Sequence, residues 1–293
     1  MKSYLDCWPC FFKQALCAAR MVKAGSKKEK QMMNALAAAL PKMPMSMPPP
    51  YIAAKIDPIL KKILGKEDIY QQAKIESNRL ALGVYDKLSA KLVSSQDKLL
   101  TAVELAIAGN IIDYGAKHSL DVEHEITKII NAQNKEWKEK KTRFDYSGFQ
   151  RVLGKARNIV YLADNAGETV FDRILIEQIK RDYPDTKIIY VVKSKPALND
   201  ALLEDALFCG IDKSAKIMAS GVAAPGTVLK LCSREFVKVF NRADMIISKG
   251  QGNFEALSES KRPIFFMLMA KCPVIARHIG CSLGDILLLS NAV

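Results

Sequence analysis

Hydrophobic positions recur at two different spacings along this chain, and the change falls near residue 144. Before it, apolar residues return every three or four positions, the period of helices with one buried face. "FFKQALCAARMV" and "KKEKQMMNALAAAL" predict two helices, and longer ones are expected over roughly 68–93 and 97–115. Between the pairs lies "PKMPMSMPPP", expected to run extended because prolines lack a donor and bias their predecessors away from helix. After "SLDVEHEI" a short helix and the very polar stretch "NAQNKEWKEKKTRF" are expected.

From Asn158 onward, short continuous apolar runs alternate with amphipathic segments. "NIVYLA", "KIIYVVK", "AKIMAS", "MIISK", "PIFFMLMA" and "DILLLS" read as strands buried on both faces. Strands alternating with helices imply parallel pairing through right-handed crossovers. The expected architecture is α/β: a doubly wound, mostly parallel, Rossmann-like sheet over 144–293, with a helical N-terminal domain over 1–143.

In such a sheet, ligands bind beyond the carboxyl ends of the strands. The first turn, "DNAGE", carries a carboxylate and an amide where a dinucleotide fold places glycines. Asp164 and Asn165 follow the first strand, and Lys193, Lys195, Asn199 and Asp200 follow the second. The small-residue loop "SGVAAPGT" follows the third, and "MIISK" ends in Lys249, Gly250, Gln251, Gly252 and Asn253.

Asp164, Asn165 and Asp200 make an oxygen-only set, suited to Mg²⁺ or Mn²⁺, with Co²⁺ or Ni²⁺ as further options. The turn through Glu168 opens a helix, whose free N–H groups favour an anion. Lys249 adds a point charge, and Gly250 to Asn253 let backbone approach a ligand. Together these residues describe a site for a phosphate ester. Taken singly, each has a plainer role as a helix cap, a turn or a solvated lysine. Their placement on one sheet edge is what favours the site.

Composition narrows the alternatives. Net charge is +13, from 44 Lys and Arg against 31 Asp and Glu, but the lysines are scattered and no basic–aromatic RNA-binding pattern occurs. No nucleic-acid partner is expected. No apolar run approaches the roughly 18 residues of a membrane span, and no signal-peptide core opens the chain, so a cytoplasmic location is expected. His118, His124 and His278 lack zinc spacing. Seven cysteines without a secretory signal do not form a disulfide framework. Cys7 and Cys10 form a C-x-x-C whose expected place is peripheral to catalysis, since the metal set is complete without sulfur.

"CWPC", "EDIYQQAK", "AIAGNIIDYG", "LADNAGET", "NDALLEDA", "GVAAPGT" and "ADMIISKGQGNFE" occur in this order from about residue 7 to 255. In them the chain resembles the damage-control phosphatase family, once called domain of unknown function 89, in its stand-alone prokaryotic branch. The resemblance implies a metal-dependent phosphatase acting on small phosphorylated metabolites. It implies Asp164, Asn165 and Asp200 as metal ligands, Lys249 at the phosphate, and Asn110 and Asp113 reaching in from the helical half. Asp164 and Lys249 are the catalytic candidates; Glu168, Asn110, Asp113, Gly250 and Asn253 are candidates for substrate binding. Attack by a metal-activated water and attack by Asp164 itself both remain open. The chain departs from the family pattern around Ala223 and Ala224 and at Leu202, positions that bear on substrate choice. The competing class is a non-hydrolytic nucleotide- or cofactor-binding α/β protein, such as a methyltransferase-like fold. It would want a glycine-rich first turn, which is absent.

Overall fold

A computed structural model describes residues 1–110 and 139–291. Seven strands form one sheet: β1 (Lys141–Phe144), β2 (Asn158–Leu162), β3 (Lys187–Val192), β4 (Lys216–Ala219), β5 (Met245–Lys249), β6 (Ile264–Met269) and β7 (Ile286–Ser290). Their order is β1-β7-β6-β5-β2-β3-β4. The sheet is doubly wound and mostly parallel, as the alternating pattern predicts. Side chains of β2 show why its run is apolar throughout. Ile159 and Tyr161 enter the core on one face, while Val160 and Leu162 enter the core on the other.

One pairing departs from the expected parallel rule: β6 and β7 run antiparallel. The helix between them, Pro273–Ile279, has only 7 residues. Ala270 N–H donates to Asp285 O at 3.0 Å and Gly284 N–H to Ala270 O at 2.8 Å, so the helix is an excursion within a hairpin. β1 was not expected either. It sits in the polar stretch as an edge strand, where charged side chains guard an open edge, and Lys141 pairs with Glu104.

The N-terminal half is helical as far as it is described. α1 (Trp8–Met21), α2 (Gly25–Ala39) and α3 (Pro49–Leu64) share their own apolar cluster. No helix was expected between the connector, expected to run extended through Pro50, and residue 68. Instead Pro49 and Pro50 open α3, because a missing N–H costs nothing in a helix's first turn. The expected long helix 68–93 is two, α4 (Gln71–Gly83) and α5 (Tyr85–Ser94), divided where Gly83 weakens the helix.

α6 (Lys98–Gly109) starts at Asp97, whose side chain accepts Leu100 N–H at 2.9 Å. It packs on α8 (Glu168–Asp182), the helix that follows β2; α7 (Tyr146–Leu153) precedes that strand. The approach of α6 to α8 is close: a Cβ on Gly109 would lie 2.9 Å from the Phe171 side chain. This contact delivers Asn110, the cap of α6, to the sheet edge. Among the described residues the remaining α-helices are α9 (Leu203–Phe208), α10 (Arg234–Arg242), α11 (Gln251–Leu257) and α12 (Pro273–Ile279). Asp113, His118 and His124, with the rest of the helix expected to reach 115, lie outside the described residues. Among the described residues no helix is long and apolar enough to cross a membrane.

Candidate active site

From β2 the chain moves outward through β3 and β4 on one side, then returns to lay β5 and β6 on the other. The switch point is therefore the crevice at the carboxyl ends of β2 and β5. Asp164 leaves β2 there, and Lys249 and Gly250 leave β5. Gly250 has φ 79°, and a Cβ on it would fall on the Asp164 carboxylate. Only glycine lets the two strand ends meet.

Asp164 Oδ2 accepts the amide of Asn110 at 2.9 Å and that of Asn165 at 3.0 Å. The same two amides donate to Glu168 Oε1, at 2.8 and 2.7 Å. Glu168 Oε2 lies 3.2 Å from Lys249 Nζ, which also donates to Asp172 Oδ1 at 2.6 Å. Tyr161 and Tyr190 complete this layer by donating to the two oxygens of Asp172 at 2.7 and 2.8 Å. Lys249 is fully buried, and burial alone would lower its pKa. Asp172 and Glu168 outweigh that and hold the ammonium above its usual value.

The loop after β3 supplies the opposite wall. Asn165 and Asp200 form an isolated antiparallel bridge, and Ala201 N–H donates to Asp164 O at 2.8 Å. Lys193 Nζ sits 3.1 Å from Asp200 Oδ2 and donates to Ala163 O at 3.2 Å. Asp200 Oδ2 has this ion pair but no hydrogen bond, and Asn110 Oδ1 is buried without a hydrogen-bond partner, among the described residues. Asn253 spends its amide on structure. It donates to Ala163 O and Lys249 O, and accepts from Thr227 N–H and Oγ1–H.

A cavity of about 460 Å³ opens in front of these residues. Asp164, Asn165 and Asp200 line it, whereas Asn110, Glu168, Lys249, Gly250 and Asn253 stand behind them. The sequence-derived site thus divides: the three candidate oxygen ligands line the cavity, and the lysine and its neighbours stand behind them. Burial, then Glu168 and Asp200, pushes the Asp164 carboxyl well above the ordinary range. Burial raises Asp200 to about 6, despite Lys193. Carboxylates crowded in this way favour an added cation.

Residues that strand-end reasoning missed also face the cavity. Lys271, one residue beyond Ala270 at the end of β6, is exposed there and helps to hold the Asp164 carboxyl down. No carboxylate pairs with it among the described residues. Glu255 is buried, with its carboxyl raised to about 7 by burial, against a hydrogen bond from Gln251. Cys7, Cys10 and Cys272 share the same wall, so the C-x-x-C is not peripheral in space. The strand-end rule, extended to the end of "PIFFMLMA", points to Lys271. Nothing local in the sequence points to the cysteines, which arrive from the opposite terminus.

The damage-control phosphatase ARMT1-like domain matches residues 3–287. The chain belongs to the damage-control phosphatase family. A damage-control phosphatase of Pyrococcus horikoshii is 39% identical over 234 residues, 79% of this chain and 78% of that protein. One of Archaeoglobus fulgidus is 34% identical over 80% of each chain. An uncharacterized Methanocaldococcus jannaschii protein is 35% identical over 98% of this chain and 94% of its own length. The crystal structure of a DUF89 family protein from Pyrococcus horikoshii superposes with a TM-score of 0.88, at 34% identity, over 99% of both chains.

Proposed function

We propose that the cavity hydrolyses the phosphate ester of a small metabolite with the help of a divalent cation held by Asp164, Asn165 and Asp200. The observation that carries this reading is that these three residues and Lys271 line one cavity in a damage-control phosphatase family member. Among the described residues no group of three His, Cys, Asp or Glu side chains is arranged to hold a metal. The set therefore needs the amide oxygen of Asn165, which selects a hard cation such as Mg²⁺ or Mn²⁺ over structural zinc. Asp200 Oδ2, which has an ion pair but no hydrogen bond among the described residues, and the raised Asp164 carboxyl fit such a group. When bound, the cation supplies Lewis acidity at a phosphoryl oxygen and a more acidic water.

The chain's own groups do the rest. Asn110 and Asn165 fix the Asp164 carboxylate, while Lys249 holds Glu168 in place beneath both amides. Lys271 supplies the exposed positive charge for the phosphate. Phe11, Pro50, Leu198 and Val274 give the cavity apolar walls that limit water around a substrate of sugar-phosphate size.

Turnover of an aryl phosphate should vanish with chelator and return on adding Mg²⁺, Mn²⁺, Co²⁺ or Ni²⁺. Full turnover in chelator would refute the cation. Lys271→Met should raise KM by roughly tenfold or more and leave cation affinity unchanged, as expected for a group binding the phosphate alone. An unchanged KM would remove Lys271 from the site.

A further inference from the structure

Cys7, Cys10 and Cys272 come from opposite ends of the chain and line the cavity that holds Asp164 and Asp200. Cys7 caps the N-terminus of α1 and is buried; Cys10, in the first turn, is exposed. Cys272 caps the N-terminus of α12, half-buried, directly after Lys271.

Contacts around them bring the N-terminal segment to the α11–α12 region. Asp6 Oδ1 lies 3.7 Å from Arg277 Nη2 of α12. Tyr4 packs against both the cluster that takes Cys7 and the one that takes Cys272. The Met1 ammonium donates to Glu255 O at 3.0 Å and to Ser258 Oγ at 3.1 Å, fixing the N-terminus beside α11. Gln251 Nε2 reaches Cys272 Sγ at 3.6 Å and Glu255 Oε1 at 2.8 Å, so the Cys272 thiol is also held in position. Burial pushes the Cys10 thiol up, and Cys272 is its largest electrostatic neighbour. By contrast, Cys209 and Cys232, raised to about 12 by burial, do not line this cavity.

We propose that Cys10 and Cys272 form a modification site, in which a peroxide joins them in a disulfide on the wall of the cavity. The Cys10 thiolate attacks one peroxide oxygen; the O–O bond breaks, giving a sulfenic acid and, after protonation, water. The Cys272 sulfur then attacks the Cys10 sulfur, the S–O bond breaks, and the hydroxyl leaves as a second water with the Cys272 proton. The two sulfurs together lose two electrons, and one peroxide becomes two waters. Cys7, buried beside Cys10, is the competing partner. The bond ties α1 to α12 and fixes the backbone next to Lys271, so phosphate binding is lost.

The loss of turnover rests on the cavity being the phosphatase site; the bond itself does not. The full chain, reduced and then treated with stoichiometric hydrogen peroxide, should yield a Cys10–Cys272 linked peptide by non-reducing mass mapping. Its cation-dependent turnover of an aryl phosphate should fall by about tenfold or more and recover with dithiothreitol. Cys10→Ser and Cys272→Ser, each compared with its own reduced rate, should lose less than about twofold on the same treatment. Absence of the linked peptide, or a Cys7–Cys10 bond in its place, would overturn the proposal. So would the bond forming with turnover unchanged. If the reduced protein turns over no phosphate with any cation, the functional reading fails, and the peptide map still decides the bond.

Discussion

Asp164→Asn should abolish turnover, by roughly 10³-fold or more, and at the same time make the cation-free protein more stable at pH 8. The two effects have one cause. Asp164 is buried beside Glu168 and Asp200, and its carboxyl is held well above the ordinary range. Such an acid disfavours its own ionised form in the fold. Its cost is absent below the unfolded carboxylate value of about 3.9 and grows as pH rises toward the folded value. An asparagine in the same rotamer keeps an acceptor oxygen for Asn110 and Asn165 while removing the charge. Thermal melts in chelator should therefore show the variant above the parent at pH 8, with the gap closing toward pH 4. A lower melting temperature at every pH would make Asp164 a structural residue. Turnover within about tenfold of the parent would remove it from the chemistry.

Lys249→Met should act in the opposite direction on stability. Its ammonium lies between Glu168 and Asp172, all three fully buried. Removing one partner of a buried ionic group leaves uncompensated charge, at a cost of about 3–5 kcal/mol. The folded lysine titrates above its ordinary value, so its contribution is full below about 10.4 and is lost only as pH rises through the folded value. Denaturant unfolding near pH 7 should show the full loss, and adding Asp172→Asn should recover part of it. Unchanged stability with lost phosphate binding would instead return Lys249 to the role its sequence position suggests, at the substrate.

These two residues mark where sequence legibility ended. Both stand at strand ends, and both were expected to face a ligand. Sequence position gives the strand end but not the direction of the side chain. Asp164 faces the cavity, whereas Lys249 turns beneath it, because two tyrosines and two carboxylates from β2, β3 and α8 build a buried polar layer there.

What the sequence determined alone was local or periodic: the runs of β2, β3, β5 and β6, the helical N-terminal half, and the acid–amide turn "DNAGE" at the first strand end. Continuous apolar runs and helical spacing are consequences of burial, so they can be read from one chain. The tertiary structure alone decided three things. It made β7 antiparallel, because a 7-residue helix inside a hairpin does not carry the chain back to the sheet's starting edge. It recruited the polar segment Lys141–Phe144 as an edge strand, where pairing with β7 supplies what apolar burial does not. It also brought Cys7 and Cys10 to Cys272 and Lys271 beside Asp164. That meeting joins segments from opposite ends of the chain around one cavity, with no local signal in either segment.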